Sequence, residues 1–188
     1  MDAAPCFPMI QALTPWSCTV HVCKQDNKWS IVDYRPEFMD GIIDLILTIQ
    51  NVEAGLDISL EQQPDILDVE SNYVRAGGGF WVAVNEQGQV IGSIGLQYET
   101  ESVSVLKKFF VEKGHRGAEV GVAAALFDRL IAFSDLQGVK TIILDTPSLA
   151  SRSHAFYRKR GFRQIDKSES PVQYDFPDRD SLLFRLDR

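Results

Sequence analysis

The chain has 188 residues, 45% of them hydrophobic, and a formal net charge of −7. That length suits one domain with a sizeable buried core, and the negative charge argues against nucleic acid as the main partner. No apolar run reaches the roughly 18 to 20 residues of a bilayer span. The N-terminus lacks a basic leader and is interrupted by Pro5, Pro8 and Pro15, so a cytoplasmic protein without membrane attachment is expected.

Residues 1–28 show no periodic pattern and read as an N-terminal extension ahead of a single domain over residues 29–188. Cys6, Cys18 and Cys23 all lie in it. Cys18, His21 and Cys23 fall short of the four ligands of a structural zinc site, so no metal is expected.

Residues 29–34 then read as a strand ended by Arg35-Pro36. Proline in a first turn opens a helix whose Phe38, Ile42, Leu45, Ile46 and Ile49 share one face, closed by Gly55. Ser59 and Gln62 have capping-box spacing, and a single second helix is expected from there through Ile66, Tyr73 and Val74 to the stop at Gly77-Gly78-Gly79. Residues 80–84 and 90–98 are strands joined by the hairpin signal Asn85-Glu86-Gln87-Gly88, and residues 103–111 complete a meander. The next helix carries Val122, Leu126, Leu130 and Phe133 at helical spacing. A short apolar strand (140–145), a helix (about 151–160), a strand (161–165), a polar loop and a last strand (182–186) follow.

The stretch between the third meander strand and its helix carries the most chemistry. A polar turn, residues 112–117, feeds glycine-bearing backbone into a helix start, where N–H groups lack partners and the aligned dipoles favour an anion, most simply a phosphate. From Ser104 to Arg163 there are eleven Lys and Arg against five Asp and Glu, a basic bias that suits a ligand with several phosphates. Between Glu37 and Arg75 the balance reverses, with nine acids and one base. That segment reads either as a solvated face or, if it lines a second pocket, as a preference for a cationic acceptor.

Arg116-Gly117-Ala118-Glu119-Val120-Gly121 resembles the signature of the GCN5-related N-acetyltransferases, an Arg or Gln, two spacers, Gly, a spacer, and Gly or Ala. Glu119 stands where the family has its first motif glycine. Ala155 to Phe162 (AFYRKRGF) resembles the family's later tyrosine-bearing helix and the Gly-Phe that follows it. The resemblance implies an α/β (α+β) fold with a mixed, mostly antiparallel sheet of six to seven strands, flanked by about four helices and splayed between its fourth and fifth strands. It implies acetyl-CoA as co-substrate, with Phe109, Phe110 and Val111 pairing the pantetheine arm. The pyrophosphate would rest on Arg116, Gly117, Ala118, Glu119, Val120 and Gly121. Glu119 would repel a pyrophosphate unless its side chain turns away. The family's asparagine, seven residues before the tyrosine, is Ala150 here, and Ser151 is the candidate substitute.

The same resemblance implies that Tyr157 serves proton transfer at the leaving thiolate and that Asp145, twelve residues earlier, is a candidate general base, with Glu99 and Glu101 as competitors. His115 is expected as a surface residue beside the turn and His154 as an exposed one on its helix, while Arg152, Arg158, Lys159 and Arg160 are candidates for the adenosine phosphate. The activity implied is direct transfer of an acetyl group to a small-molecule or peptide amine in a ternary complex, and no cysteine near the motifs offers a covalent route. A homodimer is compatible with it. The rival reading is a non-catalytic acyl-CoA-binding or regulatory module.

Overall fold

Alternation of large apolar side chains along the strands buries both faces of one sheet. In the computed structural model, which describes residues 28–173 and 180–188, the seven-stranded sheet has the order β1-β2-β3-β4-β5-β7-β6. The strands are β1 (Trp29–Asp33), β2 (Gly79–Asn85), β3 (Val90–Tyr98), β4 (Val103–Val111), β5 (Thr141–Pro147), β6 (Arg163–Ile165) and β7 (Ser181–Asp187). All neighbours are antiparallel except β4 and β5. Four α-helices are present among the described residues: α1 (Met39–Leu47), α2 (Pro64–Leu67), α3 (Val122–Leu136) and α4 (Ser151–Lys159). This is the expected mixed, mostly antiparallel architecture.

The period of two sends neighbouring side chains to opposite layers. Trp81 joins Ile94, Leu126, Leu130 and Tyr157 on the face covered by α3 and α4. Phe80 joins Ile42, Ile46, Ile66 and Tyr73 on the face covered by α1 and α2. Fully burying a side chain such as Ile42 or Leu126 stabilises by about 1.5–3 kcal/mol, which is what holds each helix to the sheet.

The parallel pairing between β4 and β5 is short. Val103, Ser104 and Val105 face Thr141, Ile142 and Ile143, after which β4 runs to Val111 and β5 to Pro147 without pairing. The sheet is therefore splayed where the resemblance implied. A bulge lies just beyond the parting: Ser93 faces Phe110 and Gly95 faces Lys107, so Lys108 and Phe109 together oppose Ile94. An extra residue bends its strand and increases the local twist. Lys108 absorbs it at φ +53°, one of two left-handed non-glycine residues among those described.

One expected element is broken. The second helix is a 3-10 turn (Leu60–Gln62), α2, and a π-helical turn (Glu70–Val74). Pro64 cannot donate a backbone hydrogen bond and displaces its predecessor from the helical region, leaving Gln63 at φ −131°, ψ 59°. The capping box is present, with Ser59 N–H donating to Gln62 Oε1 at 2.9 Å. Residues 1–27, with the cysteines and His21, lie outside the described residues.

Candidate functional site

The glycine-bearing turn forms between β4 and α3. Gly117 and Gly121 sit at φ +117° and +78°, values a side chain would resist, and Gly121 N–H closes the turn onto Gly117 O at 3.2 Å. Among the described residues Ala118, Glu119 and Val120 donate to no protein acceptor, and no side chain caps α3. The first turn of α3 adds its own unpaired donors, so the segment is a nest of N–H groups at a positive dipole end.

Two charged side chains stand at this turn, and neither leaves an unpaired positive charge on it. Arg116 Nε donates to Val111 O at 2.6 Å and its Nη1 to Glu53 Oε2 at 2.7 Å, so the guanidinium ties the turn to the end of β4 and to the π-helical turn (Thr48–Glu53) that continues α1. Glu119 folds back over the turn. Its carboxylate occupies the space beside Gly117 where a Cβ would stand, with Cδ only 2.9 Å from that position. The motif's arginine thus shapes the turn, while its carboxylate lies on it.

Phe109, Phe110 and Val111 follow the bulge on the unpaired edge of β4. Phe109 packs edge-on against Phe156 at 5.5 Å between ring centres, and Phe110 faces the α1 side. The backbone of β4 beyond Val105 has no strand on its β5 side, so apart from Val111 O, which accepts from Arg116 Nε, it turns backbone donors and acceptors toward the cleft.

Tyr157 comes from α4, with its ring against Phe109, Phe162 and Phe184. The residue is 6% exposed, and its hydroxyl has no hydrogen-bond partner among the described residues. Burial, and then the Asp145 carboxylate, push its pKa well above the ordinary tyrosine value, so the phenol stays protonated. Asp145 lies on β5 and accepts a hydrogen bond from Ser181 Oγ at 3.2 Å. Its charge raises the pKa of Tyr157 and, as the smallest of several influences, that of Lys108.

One expectation is corrected. His154 is buried, with Nε2 3.0 Å from Pro147 O and its ring over Phe184, because the short turn into α4 directs it inward. Arg158 and Arg160 are engaged locally, the first with Gln164 and the Phe184 ring, the second with Asp128 and the rings of Phe127 and Phe156. That leaves Arg152 and Lys159 among the four phosphate candidates. Ser151 is the exposed first residue of α4. His115 pairs with Glu112 at 2.6 Å at the surface side of the turn.

Several acids of the acid-rich segment are paired, and Glu37, Asp44 and Glu53 line a cavity beside α1 together with Glu112. Glu37 pairs with Arg35, Glu53 with Arg116 and Glu70 with Arg75, while Asp68 accepts from Ser71 N–H. Asp65 reaches inward to Lys108 Nζ at 3.1 Å and accepts from Tyr73 Oη at 2.6 Å. Sequence reading missed Lys108 altogether. Two adjacent lysines in an apolar strand were its only signal.

Comparison with known proteins agrees with this geometry. A family model described as an acetyltransferase (GNAT) domain matches residues 76–164. The crystal structure of an acetyltransferase from Streptococcus agalactiae covers 86% of this chain and 99% of its own, at 39% identity and a TM-score of 0.82. That of a GNAT-family acetyltransferase from Staphylococcus aureus covers 85% and 98%, at 31% identity and a TM-score of 0.79. The N-acetylaspartate synthetase of Danio rerio is 35% identical over 107 residues, 56% of this chain but 37% of that protein, so the chain spans well under half the length of this curated relative. On the splayed sheet, the N–H turn and these likenesses together, the chain belongs to the GNAT acetyltransferase family.

Proposed function

We propose that this chain transfers an acetyl group from acetyl-CoA to a primary amine by direct attack in a ternary complex. The observation that carries the reading is a convergence at the splay: a β4 edge, a turn of N–H groups and a buried tyrosine hydroxyl, each without a protein partner on that side among the described residues. These fit the co-substrate in kind, since an extended amide-bearing arm pairs with a strand edge and a pyrophosphate with N–H donors. Glu119 is the one group on the turn that opposes it.

Bound acetyl-CoA supplies a thioester whose acyl carbon is electrophilic and whose sulfur departs as a thiolate. The β4 edge at Phe109, Phe110 and Val111 orients the reacting end, and the turn from Arg116 to Gly121 anchors the phosphates. Tyr157 holds its proton at Oη. With its pKa raised above that of a thiol, about 8.5, full transfer to sulfur is uphill, so its contribution is a hydrogen bond to the charge that develops there. Asp145 is the carboxylate available to take the proton that the attacking amine sheds.

The test is release of free thiol from acetyl-CoA over an amine panel spanning cationic amines and amino acids, the latter because one relative is named for acetylating aspartate. Amine-dependent release that Tyr157→Phe reduces supports the reading. Acetyl-CoA binding without release for any amine would favour the second reading, a non-catalytic acyl-CoA sensor, to which the carboxylate of Glu119 over the turn lends its support.

A further inference from the structure

Beside the cleft, on the α1 and α2 side of the sheet, a chain of part-buried polar groups ends on the bulge of β4. Lys108 Nζ donates to Gln63 Oε1 at 2.8 Å and pairs with Asp65 Oδ1 at 3.1 Å. Gln63 is held in turn by a reciprocal amide pair with Gln50, at 2.8 and 3.1 Å, and Asp65 by the hydroxyl of Tyr73 at 2.6 Å. The two ionic side chains are 13% and 17% exposed. A desolvated pair of this kind seldom adds net stability over apolar packing, and its best-attested use is to specify one arrangement.

The backbone of Lys108 makes the same point separately. Its left-handed conformation is strained for a lysine, and such residues persist where the surroundings over-determine them, often at sites that must be pre-organised. Here the carbonyl is held by Ser93 Oγ at 2.8 Å while the ammonium is held by the segment from Gln63 to Asp65. Burial holds the lysine's pKa below its ordinary value, and Asp65 offsets only part of that fall. The adjoining residues, Phe109 to Val111, form the edge that orients the reacting end.

We propose that Lys108 is a positioning residue for acyl transfer: through Gln63 and Asp65 its side chain latches the segment from Leu60 to Val74 to the β4 bulge, fixing the strand edge that lines the cleft. This rests on the transferase reading given above. The latch joins that segment to the strand edge that orients the reacting end, so loosening it misplaces that edge. Misplacement of about 1 Å costs about a hundredfold in rate.

The experiment uses the full chain with Lys108→Asn, which tolerates the left-handed backbone, and Asp65→Asn, which keeps the shape and removes the charge. Calorimetry gives the Kd for acetyl-CoA, thiol release gives kcat and KM for the best amine, and hydrogen exchange follows the amides of residues 106–111. The expected result is kcat reduced about tenfold or more in both variants, a smaller change in the Kd for acetyl-CoA, which the turn still anchors, and faster exchange at the bulge. Unchanged kcat, or bulge exchange equal to wild type in both folded variants, overturns the latch. A wild type that never releases thiol refutes the transferase reading instead, and exchange then decides the latch alone.

Discussion

Replacing Glu119 by glutamine keeps the volume of the side chain that lies over Gly117 and removes its charge. A pyrophosphate resting on the N–H groups of the same turn would sit about 6 Å from that carboxylate, where each charge pair costs about 0.7 kcal/mol in a water-like surrounding. Two phosphate charges therefore cost about 1.4 kcal/mol, a factor of about ten in Kd. At physiological ionic strength the screening length is about 8 Å, which leaves roughly half of that repulsion, or about threefold. Glu119→Gln is expected to bind acetyl-CoA about ten times more tightly than wild type in low salt and about three times more tightly at physiological salt. Isothermal titration at the two ionic strengths measures both ratios. Equal affinities at both, or tighter binding by wild type, would refute the view that the carboxylate faces the phosphate site.

Tyr157→Phe should lower kcat by about a hundredfold while leaving the Kd for acetyl-CoA in place, since the hydroxyl is proposed to act only on charge developing at sulfur; a loss confined to Kd would assign it a binding role. Tyr73 and Tyr157 both have pKa values raised by burial, so the folded state holds these protons more tightly than the unfolded chain. Their contribution to stability is complete below about pH 10 and is lost as pH rises beyond it. Denaturant midpoints taken from pH 8 to 11 should fall only at the alkaline end, and Tyr157→Phe should flatten that fall. Gly95→Ala places a methyl group 2.6 Å from Tyr73 Cε1 and 3.0 Å from Phe80 Cδ2, an overpacking expected to cost about 1–3 kcal/mol. Because Tyr73 donates to Asp65, the same substitution should also speed hydrogen exchange at the β4 bulge, whereas an unchanged denaturant midpoint would show that the rings can move aside.

Local patterns carried most of the element list. Alternation marked residues 90–98 and 103–111 at the bounds the strands take, and spacing marked the buried face of α3, because pleat and helical period are properties of consecutive residues. Gly117 and Gly121 announced positive φ for the same reason, as a conformation open to glycine is legible one residue at a time. Pro64 was equally local and was underweighted beside the apolar spacing around it, which is why one helix was expected where three short turns stand.

The site divides along the same line. The sequence by itself determined the glycine-bearing turn, the tyrosine helix and the family they resemble, since each is a short run read through backbone chemistry. The tertiary structure alone decided which way Arg116 and Glu119 point, that His154 is buried, and that Asp65 and Gln63 meet Lys108 across more than forty positions of chain. Those outcomes depend on partners brought together by two packed layers and by one extra residue in β4, and a side chain's partner across a fold leaves no period in its own neighbourhood.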